Sequence, residues 1–215
     1  MRERPPQDAE LILRCRKGER DAIDQLIRRH QEAVFQFAYQ LTGDRDEAKD
    51  ITQEAFVRTL RHVRKLDPKQ PFQIWIFRIT RNLVADLSRR RQIRRRPVPS
   101  GSPFPPDPRV AIDEQRQERS KVERLWRLVS ELRPDYRAVL YLRHSEQLEF
   151  PEIARILGLS IGTVKSKLFR SHEELRSLYF REAASLRAAK EAEKAQEAGR
   201  TRQVGNEGGQ DDARL

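Results

Sequence analysis

The residues best suited to a chemical task lie between Phe150 and His172, where basic and hydroxyl side chains follow a glycine at helical spacing. Pro151 fits the first turn of a helix, Gly158 supplies a left-handed turn residue, and Ser160 can cap a second helix. The pattern predicts a helix-turn-helix whose second helix offers donors to bases and phosphates. A helical hairpin with a solvated basic face is the alternative. The exposed faces predicted for this second helix carry Thr163, Lys165, Ser166, Lys167, Arg170 and Ser171.

A second segment, Phe72 to Arg91, mixes aromatic and basic residues on one predicted helix. Arginine neutralises phosphate, while aromatic rings and amides can hold the unstacked bases of a single DNA strand. However, Trp75 and Phe77 would also suit a core, and an arginine run is often a solvated face, so this segment alone leaves both interpretations open. The pattern predicts that Arg78, Arg81, Asn82 and several further arginines lie on the faces of this helix that point away from the core.

A third segment, Asp46 to Arg58, predicts a helix with an acidic and amide face in an otherwise basic chain. Asp50, Gln53 and Glu54 stand at positions i, i+3 and i+4, so their side chains project from the same face. Such a face can dock a protein partner. A plain solvated helix is the simpler interpretation of the pattern alone.

The elements that must position these residues are all helical. Apolar residues recur at three- and four-residue spacing, and the alternation typical of strands is absent, which predicts an all-α fold. Asp8 is expected to cap the first helix, and the third helix is expected to run from about Asp46 to Leu66. We predict two small helical domains, a Pro-rich linker expected to be extended and mobile, and a charged, partly disordered tail. The predicted ranges are 8–96 and 121–180 for the domains, 97–120 for the linker and 181–215 for the tail.

Composition narrows the class of protein. The 215 residues carry a formal net charge of +11, which favours a polyanionic partner such as nucleic acid. Cys15 is the only cysteine, so neither an intramolecular disulfide nor a Cys-rich zinc site is expected. Neither a signal peptide nor an apolar run long enough to span a membrane is evident, which predicts a cytoplasmic protein. The four histidines are scattered and no catalytic or metal-binding motif is evident, so we expect neither an enzyme nor a cofactor, metal or small-molecule substrate.

Taken in their order and spacing, the three segments resemble the sigma-70 family of RNA polymerase sigma factors, in particular the extracytoplasmic-function (ECF) subgroup. Residues from about Ala9 to Arg96 are similar to sigma region 2, and residues from about Val122 to Leu178 are similar to region 4. The Lys65 to Pro71 loop departs from the family because it lacks glycine and small polar residues, which leaves its base preference open. The alternative is a free-standing helix-turn-helix regulator, which leaves the first 96 residues without a task.

The resemblance implies a role for each segment. It implies that Asp50, Gln53 and Glu54 bind the polymerase core, through a surface that grips the clamp helices of the β′ subunit. It implies that the second segment melts the −10 promoter element, with candidate DNA contacts at Trp75, Arg78, Arg81, Asn82, Arg89 and Arg90. It also implies that the second helix of the helix-turn-helix reads the −35 element in the major groove. The residues that it places at this DNA are Thr163, Lys165, Ser166, Lys167, Phe169 and Arg170. The implied partners are the RNA polymerase core, through its β′ and β subunits, promoter DNA and an anti-sigma factor.

Overall fold

The computed structural model describes residues 7–94 and 116–207. Within these ranges the chain forms helices and no β-strand, which confirms the predicted all-α fold. The predicted linker residues 97–115 and the end of the tail, residues 208–215, lie outside the described ranges. The described helices are α1 (Gln7–Arg16), α2 (Arg20–Thr42), α3 (Arg45–Arg61), α4 (Phe72–Arg94), α5 (Arg116–Glu131), α6 (Pro134–Leu140), α7 (Phe150–Leu157) and α8 (Ile161–Glu207), with a 3-10 turn at Val63–Lys65 and a π-helical turn at Tyr141–Ser145.

Helix α2 is the centre of the first helical block. Its apolar stripe, which includes Val34, Phe37 and Ala38, is fully buried. The ring of Phe37 packs against that of Phe77 in α4, with 5.0 Å between the ring centroids. Burial of one such side chain contributes about 1.5–3 kcal/mol to stability, so the Phe37–Phe77 pair fixes α4 against the block.

The turn between α2 and α3 is set by two adjacent residues. Gly43 has a φ of 71°, the left-handed conformation that glycine adopts without strain, and its N–H donates to the Tyr39 carbonyl at 2.8 Å. Asp44 then caps α3, because its Oδ1 accepts from the N–H groups of Asp46 and Glu47 at 2.9 and 3.1 Å. A cap of this kind is worth about 1 kcal/mol.

Two predictions about this block are wrong. The third helix ends at Arg61 rather than Leu66, because the chain tightens into the 3-10 turn and Leu66 is then buried, with its carbonyl accepting from Arg16. Asp8 is not the cap of the first helix, because α1 already includes Gln7. The Asp8 carboxylate instead accepts from Arg29 Nη1 at 2.6 Å and lies 3.0 Å from His30 Nε2, which ties α1 to α2.

The predicted helix-turn-helix is confirmed. Pro151 lies in the first turn of α7, where its missing N–H leaves no hydrogen bond unmade. Gly158 ends α7 with a φ of 64°, and its N–H donates to the Ala154 carbonyl. Ser160 Oγ then accepts from the Thr163 N–H at 3.1 Å and so begins α8.

The helical ranges differ from the predicted domain ends at two places. Helix α5 begins at Arg116, inside the predicted linker, because the residues from 116 to 120 are good helix formers without glycine or proline. Helix α8 continues past residue 180 to Glu207. The chain divides into two compact units, residues 1–173 and 174–215, so the division falls within α8.

Within the first unit, helices from both predicted domains share one apolar core. The ring of Tyr141 lies 6.2 Å from that of Phe37, measured between centroids. Arg137 is only 7% exposed, and its Nε donates to the Gln40 carbonyl at 2.8 Å. Helices α6 and α7 therefore pack against α2 and α4, a contact that the sequence did not predict.

Candidate nucleic-acid interface

Helix α4 separates a buried face from a polar one. Phe72, Ile76 and Phe77 are almost fully buried, and the Thr80 hydroxyl, also buried, donates to the Ile76 carbonyl at 2.8 Å. These contacts fix the rotation of the helix about its own axis. Phe77 therefore belongs to the core, as the alternative interpretation of this segment allowed.

The predicted −10 residues occupy the remaining surface of α4, but not equally. Trp75 is half-buried, and the Arg78 guanidinium carbon lies 6.0 Å from the centre of its ring. Arg81 is half-buried and donates through Nη1 to Asn82 Oδ1 at 3.2 Å. The side chains exposed to solvent are Arg78, Asn82, Arg89 and Arg90.

A groove of about 430 Å³ runs between α3 and α4. Asp50 and Glu54 line it from α3, while Gln53 is exposed but is not one of its lining residues. Arg90, predicted to contact the −10 element, also lines this groove. The structure thus brings Arg90 next to two of the predicted polymerase-binding residues. The groove is lined by Glu47, Asp50, Ile51, Glu54, Arg58, Leu83, Asp86, Leu87 and Arg90.

One charge pair joins the two walls of this groove, and a second lies within α3. Arg91 of α4 forms an ion pair with Glu47 of α3, and Glu54 Oε1 accepts from Arg58 Nε at 2.7 Å. Ile51 is buried beneath them. The result is an apolar floor rimmed by carboxylates and guanidinium groups, which suits a helix that presents both apolar and charged side chains.

The first turns of α8 carry the predicted −35 residues. Val164 is fully buried and Leu168 packs against the core, so the helix turns its other faces outward. Phe169 is 64% exposed although it is a large apolar residue. The side chains that the structure leaves exposed are Thr163, Lys165, Ser166, Phe169 and Arg170.

Two predicted −35 lysines contact their own helix-turn-helix region. Lys165 Nζ lies 5.5 Å from the centre of the Phe150 ring. Lys167 pairs with Asp135 of α6 and lies 5.8 Å from the Tyr136 ring. Burial alone would raise the pKa of Asp135, but the hydrogen bond and charge of Lys167 outweigh it and hold that pKa below its usual value.

Sequence reasoning missed several residues that shape these surfaces. Asp135 fixes Lys167, and the Phe150 ring receives both Lys165 and Arg143, whose guanidinium carbon lies 4.9 Å from the ring centre. The one feature of the sequence that could have indicated the Phe150–Lys165 contact is that the two residues lie on either side of the predicted turn. In the described part of the chain no helix is long and apolar enough to cross a membrane, and no group of three or more potential metal ligands is found there.

These surfaces lie in two segments that match known protein families. A family model described as Sigma-70 region 2 matches residues 26–94, and one described as Sigma-70, region 4 matches residues 122–175. Together they cover more than half of the chain. The chain belongs to the sigma-70 family of RNA polymerase sigma factors.

Individual relatives place this sigma factor in the ECF subgroup. It is 37% identical over 165 residues to the ECF RNA polymerase sigma factor SigE of Mycolicibacterium smegmatis, a match that spans 71% of this chain and 60% of that protein. It is 31% identical over 159 residues to the RNA polymerase sigma-E factor of Streptomyces coelicolor, spanning 74% of this chain and 86% of that protein. The predicted family and subgroup are confirmed.

One solved structure is similar to this sigma factor over most of its length. It is that of CnrH, a sigma factor of Cupriavidus metallidurans, in complex with the cytosolic domain of CnrY. The likeness has a TM-score of 0.58 at 26% identity and covers 80% of this chain and 97% of that one. The predicted function, promoter-specific initiation of transcription with RNA polymerase, is confirmed at the level of the family, and a free-standing regulator is not favoured.

Proposed function

We propose that this sigma factor directs RNA polymerase to its promoters through three surfaces. Helix α4 captures the opened −10 element, the N-terminal turns of α8 read the −35 element, and the α3–α4 groove receives the core enzyme. The sigma factor acts in the cytoplasm, where polymerase and promoter DNA meet, and catalyses no reaction of its own. The observation that carries this proposal is that α4 and α8 both expose polar, mostly basic side chains above a buried apolar face.

The core-binding role rests on the α3–α4 groove. Asp50 and Glu54 place carboxylates beside an apolar floor, and Gln53 adds an exposed amide on the same helix. Such a surface suits the clamp helices of the β′ subunit, whereas contact with DNA would bring carboxylates against phosphates of the same charge. The β subunit is the second partner within the core.

The DNA-binding roles rest on residue chemistry. On α4, Trp75, Arg78 and Asn82 offer an aromatic ring, a cation and an amide, which together suit a single strand with unstacked bases. Arg81 and Arg89 would add contacts to phosphates. On α8, Arg170 can make a bidentate contact with a base, whereas Lys165 is a point charge better suited to phosphate.

The proposal also includes an anti-sigma factor as a protein partner. CnrH, whose structure is similar, is seen in complex with the cytosolic domain of a second protein, CnrY. A partner that occupied the α3–α4 groove or the basic face of α8 would block the surfaces assigned above to polymerase and DNA.

The test of the proposed function is transcription in vitro. The purified chain is mixed with core RNA polymerase and genomic DNA fragments, and the 5′ ends of the transcripts are mapped. We expect start sites that share −10 and −35 sequences and that disappear when the chain is omitted. Initiation that does not depend on the chain would overturn the proposal, as would sequence-specific binding of duplex promoter DNA by the chain alone as a dimer.

Two pairs of variants assign the surfaces. Asp50→Ala with Gln53→Ala should weaken binding to core polymerase by roughly tenfold or more, since interface anchors typically cost over 1 kcal/mol each. The matched control is Asp24→Ala with Gln25→Ala, which removes the same two residue types from an exposed part of α2. Equal core affinity in the two double variants would remove the groove from the proposal.

Lys165→Ala with Arg170→Ala should reduce the discrimination between promoters that differ only in the −35 element. A good base contact discriminates by about 1–3 kcal/mol, so the preference should fall roughly tenfold. Lys17→Ala with Arg20→Ala makes the same change in charge at exposed positions near the start of α2. An unchanged −35 preference in the α8 variant would refute its assigned role.

A further inference from the structure

The structure brings together two of the four histidines that are scattered along the sequence. His144 lies in the π-helical turn and His172 lies in α8, 28 positions later, and their Nε2 atoms are 3.1 Å apart. The two ring planes meet at 63°, and both side chains are exposed. Two imidazole nitrogens therefore face each other at a point that water and dissolved ions can reach.

The distance between these two nitrogens fits a shared metal ion. Zn²⁺ binds imidazole nitrogen at about 2.0–2.1 Å, so an ion bound to both Nε2 atoms at their present separation makes an N–metal–N angle of about 100°. That angle lies between the values for octahedral coordination, about 90°, and tetrahedral coordination, about 109°. Because both side chains are exposed and the last torsion of histidine is soft, a small tilt of each ring directs both lone pairs at one point.

A hydrogen bond between two neutral rings also accounts for the distance. This bond uses one N–H donor and one lone pair. A metal ion replaces it with two coordinate bonds once the donor ring moves its proton from Nε2 to Nδ1, an exchange that water performs. The hydrogen bond opposes the metal only weakly, because each exposed ring can bond to water instead.

The charges around the pair determine whether a cation is tolerated there. Arg143 precedes His144 in the chain, and its positive charge opposes a second cation. However, Arg143 Nη1 lies 3.3 Å from Glu149 Oε2, which offsets that charge. Glu173, which follows His172 in α8 and is exposed, adds a further negative charge on the other side of the pair.

We infer that His144 and His172 form a binding site for one divalent ion of the class that prefers imidazole, namely Zn²⁺, Ni²⁺ or Cu²⁺. The histidines supply two ligands and water supplies the rest, since no group of three or more potential ligands is found in the described part of the chain. Such a site exchanges its ion, unlike a structural zinc site, whose four ligands all come from the protein. This inference does not depend on the proposed function.

The ion would join two elements of the helix-turn-helix region. His144 precedes α7, whereas His172 lies about three turns into α8, beyond the residues assigned to the −35 element. Coordination by both rings therefore holds α8 to the π-helical turn from the solvent side. Because unfolding separates the two rings, the folded chain becomes more stable as the concentration of the ion rises above its Kd.

Titration with a metal chloride tests the inference. ZnCl₂ or NiCl₂ is added at neutral pH to the purified full chain, which carries no polyhistidine tag, and binding is followed by calorimetry. We expect one ion per chain. His144→Asn and His172→Asn should each weaken binding at least tenfold, because a single imidazole then remains. His62→Asn, which removes an exposed histidine at the end of α3, is the control and should leave the affinity unchanged.

Two further readouts separate this site from nonspecific binding. With Cu²⁺, the electron paramagnetic resonance spectrum should show coupling to two imidazole nitrogens in the wild-type chain and to one in either His144→Asn or His172→Asn. At a Zn²⁺ concentration a hundredfold above Kd, the midpoint of thermal unfolding should rise by roughly 5–10 °C in the wild-type chain and by less than about 2 °C in either variant.

The two histidine variants change exposed side chains on different elements, so each checks the other, and circular dichroism without added metal verifies that both fold. An affinity in either variant equal to that of the wild-type chain would overturn the inference, because the site requires both rings. Failure of the wild-type chain to bind any of the three ions saturably would also overturn it, as would a copper spectrum without two imidazole nitrogens.

Discussion

Lys167 forms an ion pair with Asp135 of α6 rather than extending freely from α8. Its side chain is 24% exposed, and the Tyr136 ring lies 5.8 Å from its Nζ. A lysine held in this way contributes less to DNA binding than its position on the helix suggests, because its charge is already partly neutralised. Under the proposed function, Asp135 therefore limits how much of the positive charge of α8 is available to the promoter.

Asp135→Asn should release Lys167 to a DNA phosphate. One additional phosphate contact steepens the slope of log K against log salt concentration by about 0.9. The measurement is the affinity of holoenzyme for a promoter fragment over a series of salt concentrations. Asp21→Asn, which makes the same charge change at an exposed position of α2, is the control. Identical slopes in the two variants would show that Lys167 already contacts DNA or never does.

His144 should make the fold sensitive to mild acid. Its Nε2 lies 3.1 Å from that of His172, and although His144 is exposed, partial desolvation, followed by the charges of His172 and Arg143, lowers its pKa. Because the folded pKa lies below the unfolded one, stability is full above about pH 6.5 and falls as pH drops through the folded pKa. His144→Asn should flatten the fall in unfolding free energy between pH 7 and pH 5. His62→Asn, at an exposed site, should leave it unchanged.

Asp8 should stabilise the fold at neutral pH through its ionised carboxylate. Burial raises its pKa, but the hydrogen bonds and charges of His30 and Arg29 outweigh burial and lower it. A folded pKa below the unfolded value means that this stability is present above about pH 4 and is lost as pH falls through the folded pKa. Asp8→Asn should cost about 1 kcal/mol at pH 7 by chemical denaturation. A cost that persisted undiminished at pH 3 would contradict this account.

What could be predicted from the sequence was local. Pro151, Gly158 and Ser160 each fix the backbone within a few residues, so the helix-turn-helix followed from their order. The capping of α3 by Asp44 has the same local character. The helical spacing of the apolar residues is local too, because its period is a property of the helix itself.

The packing of α6 and α7 against α2 and α4 could not be predicted, because the residues that form it lie far apart in the chain. Arg137 and Gln40 are 97 positions apart, and nothing in the residue type distinguishes a buried arginine from the many exposed ones. The same holds for Lys167 and Asp135, which are 32 positions apart. The site residues proposed for DNA and polymerase remain predictions, since their roles depend on partners that are read from chemistry and family.

Cys15 should be inert in the folded protein. It is 4% exposed, and burial is the main cause that raises the pKa of its thiol, so little thiolate is present at neutral pH. Its reaction with a thiol-exchange reagent should be about 100-fold slower in native protein than in denaturant. Rapid modification of the native chain would mean that Cys15 is accessible and able to respond to oxidants.

The buried position of Arg137 has a consequence for how ionic strength acts on the molecule. Its charge is met by the carbonyl oxygens of Gln40 and Ser130, and the Phe37–Tyr141 ring pair belongs to the same packing of helices, so dissolved salt screens little of this contact. Binding to the phosphate backbone, in contrast, weakens steeply as salt increases. A rise in salt concentration should therefore weaken any contact of this chain with phosphate while the buried contact of Arg137 persists.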